Sequence, residues 1–433
     1  MNIFMINTTN TVPDRGGIAT YTHELASLFA QWGHTMIVMT YPARGPLPEA
    51  VSTRIRYEVA RFASYDFSRI RPPRRGSRIT GRSGIGLALA RKSAFYSMAY
   101  ARIGRMVWDT CRYARRRLSA GHRLRPSRED ITVLWALTWS PEGIAALLAA
   151  RRLSLPYVVT AHGAELLVAP RGVSGRLYRA VLNGAACVFA VSSHTASLLQ
   201  RPGIAPRKVV VVPNGVTAER FQRTEETTRL RESLTDRLGL ADKKVLVTLG
   251  RLVPRKGHET VLEALVQIRE VRPDVRYLIV GQGPLEQRLR GLVSSLGLGE
   301  MVHFLGEVTE DEKAALLQAC DLFIMANRDM PCSDGRLDTE GFGIAFLEAG
   351  ACAKPVIGGR AGGAKEAIVD GETGLLVDPH DPGAIRDGIL RLLSDERLAR
   401  SMGEKARERV MAEFQWSRLG ALYLDALKGI RNT

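Results

Sequence analysis

Long apolar runs are absent from this sequence. No uninterrupted stretch approaches the roughly 20 residues of a membrane span, so any work at a membrane is done lying on it. Met1 to Asn7 is apolar but short, without a basic segment or a cleavage site, and reads as a first strand rather than a signal peptide. Cysteine is sparse: Cys111, Cys187, Cys320, Cys332 and Cys352 are far apart and no two form a CxxC pair. An odd count without metal-ligand spacing points to reduced thiols in the cytoplasm, each packed in the interior, and against a disulfide framework. No Gly-x-Gly-x-x-Gly follows the first strand, where a dinucleotide-dependent oxidoreductase would want it, and Gly16-Gly17 does not supply one. Acids nearly vanish from one stretch. Arg61 to Arg128 holds 17 Arg and one Lys against Asp66 and Asp109, a net +16 out of +17 for the whole chain. Charge so confined is a local device for meeting anionic lipid, nucleic acid or an acidic substrate.

What remains is ordinary and ample. At 433 residues the chain exceeds the roughly 250 to 300 at which a single core stops growing, so two domains are expected. Its 45% hydrophobic and 24% charged residues suit two globular cores. Strand and helix signals alternate. Asn2 to Asn7 reads as a strand, Ile18, Tyr21, Leu25, Leu28 and Phe29 recur at helical spacing, and Thr35 to Thr40 is a second strand. Further strands fit at Ile131 to Ala136, Tyr157 to Ala161, Cys187 to Val191 and Val209 to Pro213. Between Ala63 and Arg128 the pattern gives way to Arg, Gly, Ser and Pro. There Leu87 to Leu118 carries apolar positions at helical spacing (Ala94, Met98, Tyr100, Met106, Val107, Trp108, Tyr113), read as one or two amphipathic helices in an insertion.

After Pro213-Asn214-Gly215 and the polar run Thr224 to Asp236, a second alternation begins. Strands are expected at Val245 to Leu249, Tyr277 to Val280, Val302 to Leu305, Leu322 to Met325 and, last, Pro355 to Gly358. Helices are expected at His258 to Glu270, Leu285 to Leu296, Glu310 to Ala319, Ala384 to Leu393 and Glu404 to Phe414. Two successive doubly wound α/β domains with a hinge near residue 215 are the simplest architecture, with the site in the cleft between them.

Two clusters carry chemistry. Glu340-Gly-Phe-Gly-Ile-Ala-Phe-Leu-Glu348 sets two acids around a glycine-rich turn into a helix. The helix N-terminus suits a phosphate and the acids suit sugar hydroxyls, although an acid before a helix is often only a cap. Gly250-Arg251-Leu-Val-Pro-Arg-Lys256-Gly257 follows the first strand of the second domain. Arg251 offers a bidentate fork and Lys256 a point charge that could neutralise a diphosphate, whereas isolated surface cations beside a strand end are usually just solvated. His162 ends a strand and precedes Gly163; it is read as a functional group or as a hydrogen-bonded core histidine, and not as a general base.

Taken together, GRLVPRKG, VGQGP (Val280 to Pro284), HFLG (from His303), EGFGIAFLEA and GLLVDP (Gly374 to Pro379), with Gly16-Gly17-Ile18 and Thr160-Ala-His-Gly-Ala-Glu165, resemble glycosyltransferase family 4 in order and spacing over nearly the whole chain. The loop Met330 to Thr339 and the run Gly362 to Glu366 also look like the bacterial phosphatidylinositol mannosyltransferase branch. The resemblance implies a GT-B fold, two Rossmann-like domains facing a cleft. Residues 1–215 would lie on the acceptor side with a basic insertion at about 63–128, residues 216–410 would bind a nucleotide sugar, and a helix in 411–433 would pack back on the first domain. It implies that Arg251 and Lys256 hold the donor diphosphate, Glu348 the ribose and Glu340 the sugar. Backbone groups of Phe342, Gly343 and Ile344 would face sugar and phosphate. Gly281 and Gly283 would let the chain pass close to the nucleotide, with the base near His303, Phe304 and Leu305. Gly16 and Gly17 would close over the diphosphate, and His162 would lie near the reacting carbon.

By the same resemblance, configuration is retained by front-face attack, with the leaving phosphate accepting the acceptor's proton. No Asp-x-Asp pair is present, and no cofactor or divalent metal is required. Thr217 and Arg255 replace acids found in many relatives, and neither is placed in the donor shell. The donor expected is GDP-mannose, then UDP-glucose; the acceptor is a glycan or lipid-linked. Rival readings are another nucleotide-sugar enzyme such as an epimerase, or a nucleic-acid binder using Phe95, Tyr96, Tyr100, Trp108 and Tyr113 among the arginines. An anionic membrane surface met through residues 65–127 is preferred over nucleic acid, which places the protein in the cytoplasm or on the inner face of the cell membrane.

Overall fold

The computed structural model describes residues 1–7, 17–40, 58–61, 103–116, 131–168 and 170–430. Strands β1 Asn2–Ile6, β2 Thr35–Thr40, β3 Glu58–Arg61, β4 Thr132–Ala136, β5 Tyr157–Ala161, β6 Cys187–Ala190 and β7 Val209–Val211 form a seven-stranded parallel sheet in the order β3-β2-β1-β4-β5-β6-β7. A second parallel sheet takes β8 Lys244–Leu249, β9 Val275–Val280, β10 Val302–Gly306, β11 Leu322–Met325, then, after the two-stranded hairpin β12 Met330–Pro331 and β13 Leu337–Asp338, β14 Val356–Gly359 and β15 Gly374–Val377. Its order is β10-β9-β8-β11-β14-β15. Each sheet reverses direction of growth beside its first strand. The reversal opens a crevice beyond the carboxyl ends of β1 and β8, and the cleft lies there.

The strands read as apolar runs because helices cover both faces of each sheet. In the first sheet, Phe4, Leu134 and Val159 point into one core cluster, while Ile3, Met5, Trp135 and Val158 point into another. Helix Gly17–Gln31 closes the second face with Tyr21, Leu25 and Phe29. Beside it lies the final helix, Trp416–Lys428, whose Tyr423 ring is 4.7 Å from Phe189 and 5.4 Å from Trp135 by centroid and is fully buried. The last helix therefore completes the core of the first sheet. The chain crosses between the halves twice at one place: Val216 N donates to Phe414 O at 2.8 Å, and a Cβ on Gly215 would lie 2.7 Å from the Trp416 ring.

Several expectations are corrected. The polar run Thr224 to Asp236 is a helix, Glu225–Arg237, started by a reciprocal cap between Thr224 and Thr227 and held by buried Leu234. The last strand is Gly374–Val377, beyond the one expected at Pro355 to Gly358. The helix expected from Glu404 starts at Glu396, capped by the Asp395 side chain on Leu398 N. Within the basic insertion, residues 103–116 are helical, and the rest of it lies outside the described residues. Met106, Cys111 and Ala114 pack in the first domain's own core, so the apolar side of this helix is not free for a membrane; Trp108 is 59% exposed. All five cysteines are free, with Cys332 and Cys352 only half-buried.

Truncating Tyr423 to alanine removes an aromatic from a closed cluster. Tyr423→Ala is expected to cost about 3 kcal/mol or more in urea unfolding, with the near-ultraviolet signal of Trp135 lost first.

Candidate active site

The loop after β8 folds back on itself. Gly257 adopts φ 71° to start helix His258–Val271, and a Cβ there would meet Ala326 O at 1.9 Å. Lys256 consequently lies beneath Gly250, only 8% exposed. Its Nζ is 2.7 Å from Glu340 Oε2 and 3.2 Å from Met325 Sδ. Arg255 Nε is 3.7 Å from the same Glu340 oxygen, and its Nη1 is 3.0 Å from Asp338 Oδ1. Burial pushes the Glu340 carboxyl up, but Lys256 and Arg255 outweigh it and hold the group below the usual carboxylate range, so Glu340 is ionised. Arg255 thus touches an expected donor-site acid, contrary to its placement outside the shell. Thr217 belongs to the crossing point instead: it donates to Glu24 Oε2 at 2.8 Å, while Arg220 pairs with Glu24 Oε1 at 2.6 Å. Arg251 is exposed and has no ion-pair partner among the described residues.

Glycine shapes the turn into helix Ile344–Ala351. Gly343 sits at φ 95°, a left-handed conformation that other residues resist; Phe346 N donates to Gly343 O at 2.9 Å, and the Ile344 and Ala345 N–H groups have no partner among the described residues. Gly17, at the start of its own helix in the other half, faces Ile344; a Cβ on Gly17 would lie 3.8 Å from Ile344 Cδ1. Two helix N-termini therefore converge from opposite sides, a positive focus for an anion. Gly16 lies outside the described residues. Further into the helix, Glu348 is 8% exposed with Oε1 2.7 Å from Lys313 Nζ, which also lies 2.8 Å from Glu310. Burial disfavours the Lys313 charge, yet Glu348 and Glu310 raise its pKa above the ordinary lysine value. Nothing in the sequence linked Lys313 to Glu348; the pairing is tertiary.

His162 comes from the end of β5. Its ring stands edge-on to Tyr21 at 5.0 Å, and its Nε2 is buried without a hydrogen-bond partner among the described residues. Burial pushes its pKa down to about 4, opposed by a bond to the Leu137 backbone, so the ring is neutral near pH 7. His162 N donates to Glu165 Oε1 at 2.6 Å. Burial, aided by Glu142, lifts Glu165 to about 7 against the pull of backbone N–H groups and Arg336. In the sequence Glu165 is part of a motif, and no signal there marks its perturbation. Across the cleft, a Cβ on Gly341 would sit 1.8 Å from His162 O, and one on Gly163 (φ 109°) 2.9 Å from Gly341 Cα. His162 and Glu340 are thereby brought to one crevice.

The other expected positions fall nearby with different side-chain roles. Gly281 and Gly283 pack on the Gly250 and Leu252 carbonyls, where a Cβ would lie at 2.1 and 2.4 Å. Phe342 is a core residue, 5.5 Å from Phe414, and only its backbone can face a ligand. Phe304 lies under the Arg290 guanidinium at 4.4 Å, Leu305 packs on the opposite side of the sheet, and His303 is half-buried.

The family model described as Glycosyltransferase Family 4 matches residues 15–220, and that described as Glycosyl transferases group 1 matches residues 231–409. A GDP-mannose-dependent alpha-(1-6)-phosphatidylinositol monomannoside mannosyltransferase of Mycolicibacterium smegmatis is 35% identical over 302 residues, 70% of this chain and 78% of that protein. The chain belongs to glycosyltransferase family 4. An N-acetyl-alpha-D-glucosaminyl L-malate synthase of Bacillus anthracis is also similar to this glycosyltransferase, 30% identical over 313 residues, 70% of this chain and 77% of that one. Anabaena HepE, solved with UDP and glucose, superposes with a TM-score of 0.73 at 21% identity, covering 99% of this chain and 100% of that one, which establishes the two-domain GT-B fold.

His162 predicts a pH effect on the glycosyltransferase. Its folded pKa lies below the unfolded value of 6.5, so as pH falls through 6.5 the unfolded chain binds a proton that the folded one refuses, and stability drops until about pH 4. His162→Gln is expected to flatten that slope by on the order of 2 kcal/mol between pH 7 and 4.5 in denaturant titrations.

Proposed function

We propose that this family 4 enzyme transfers mannose from GDP-mannose, with retention of configuration, onto a phosphatidylinositol-type glycolipid at the surface of a membrane. The observation that carries the donor site is the crevice itself: Lys256 against Glu340, the exposed Arg251 on the same loop, and the meeting of Gly17 with the N-terminus of Ile344–Ala351. A diphosphate there meets two cations and open N–H groups. Glu340, already ionised, accepts from sugar hydroxyls, and Glu348, oriented by Lys313, from the ribose diol.

In the reaction the acceptor oxygen bonds to C1 of the sugar as the C1–phosphate bond breaks, and the acceptor's proton passes to the departing phosphate. Neutral His162, with its unpartnered Nε2, borders the sugar without taking that proton. Arg251 and Lys256 stabilise the charge that develops, so no metal is invoked. The named relatives of this identity support GDP-mannose and the lipid acceptor. Membrane attachment is supported by the outward side of helix 103–116, where exposed Trp108 lies between Arg105 and Arg112.

Thermal shifts with GDP-mannose, GDP, UDP-glucose and UDP, followed by mannosyl transfer to phosphatidylinositol monomannoside, test the donor and acceptor. GDP-mannose is expected to stabilise most; a larger UDP-glucose shift with glucosyl transfer would replace the donor. Arg251→Ala should lower turnover about 100-fold and Glu348→Ala should weaken the donor-induced shift; wild-type activity in both removes the site. In flotation with anionic and neutral vesicles, Trp108→Ser with Arg112→Glu should lose anionic binding while keeping turnover on a water-soluble acceptor. Unchanged flotation rules out this face as the membrane contact.

A further inference from the structure

Beside the proposed donor crevice, the two halves are joined by a further contact. Helix Ser193–Gln200 begins at the rim of the first half, capped by the Ser192 side chain on Thr195 N at 2.9 Å. The N–H groups of Ser193 and His194 have no partner within that helix. One carboxylate from the other half takes both: Glu366 Oε2 accepts from Ser193 N at 2.8 Å and Oε1 from His194 N at 2.9 Å. An ionised acid on two N–H groups at the positive end of a helix is a charge-assisted clasp. Thr339 Oγ1, 3.3 Å from His194 Nε2, adds a second tie across the same gap.

Glu366 is itself well anchored. The turn before it packs through Gly362 and Gly363 onto the Glu340 and Gly341 carbonyls, where a Cβ would lie at 2.4 and 2.0 Å. From behind, Arg409 donates to the carbonyls of Glu366 at 2.9 Å and Ala367 at 3.1 Å. We infer that Glu366 is a positioning residue: its carboxylate, seated on the N-terminus of Ser193–Gln200, latches the halves shut and fixes His162 against the Glu340 turn, a role in turnover that rests on reading the cleft as the donor site. Glu366 has both carboxylate oxygens taken by the Ser193 and His194 N–H groups. Its effect is on how often the complete crevice exists.

Small-angle X-ray scattering of the full chain, alone and with GDP, compares wild type with Glu366→Gln and Ser193→Pro. Proline at the first helical position removes one of the two N–H groups that Glu366 binds, and the extended Ser192 before it (φ −165°, ψ 162°) accommodates it. Both variants are expected to show a larger radius of gyration than wild type, a kcat lower by about tenfold, and a donor KM changed less than twofold. Because the two share one contact, the double variant should be no worse than either single one. Wild-type radius and kcat in both variants overturn the latch, and an enlarged radius with wild-type kcat overturns the positioning role. Ser193→Pro decides if Glu366→Gln misfolds. A wild type that turns over no nucleotide sugar defeats the donor reading alone, since scattering still reports closure.

Discussion

Everything in the cleft depends on one backbone contact. At Gly163 and Gly341 two chain segments from different sheets touch so closely that neither position has room for a Cβ. This contact sets His162 beside the Glu340 turn and allows the helix starting at Gly17 to meet the one starting at Ile344. Further ties gather around it: the Glu366 clasp, the Thr339 contact with His194, and Val168 N donating to Gly335 O at 2.9 Å, which joins the hairpin to the first half. Side-chain bonds hold the halves in register, but glycine decides how near they come.

Apart from exposed Arg251, the charges of the crevice are paired within the protein. Lys256 is held by Glu340, and Lys313 by Glu348 and Glu310. Buried pairs of this kind recover little more than the cost of leaving water, so they are weak evidence for stability. Their value is in orientation. Each acid has one oxygen committed to a lysine, which fixes the plane of the carboxylate, and neutral His162 adds no competing charge.

Much of the fold was legible because buried parallel strands leave unbroken apolar runs, as at Val245 to Leu249 and Tyr277 to Val280, and helix Gly17–Gln31 showed its core face in Tyr21, Leu25 and Phe29. Elements that escaped had little periodic signal. Helix Glu225–Arg237 is so polar that it reads only as a polar run, and two-residue strands such as Met330–Pro331 have no period to detect. At the site, glycine-rich motifs marked the turns, since left-handed geometry and close packing constrain residue choice. The pairings did not show: Lys256 with Glu340, Lys313 with Glu348, and Arg255 with Asp338 join distant segments through folding alone.

The final helix has a consequence for how the protein is made. Tyr21, Trp135 and Phe189 belong to the half synthesised first, yet the ring that seals them, Tyr423, is made only after the whole second sheet. Until then the nascent first half carries an uncovered aromatic surface through the whole elongation of the second, a natural target for a chaperone and a point where premature termination leaves an aggregation-prone fragment.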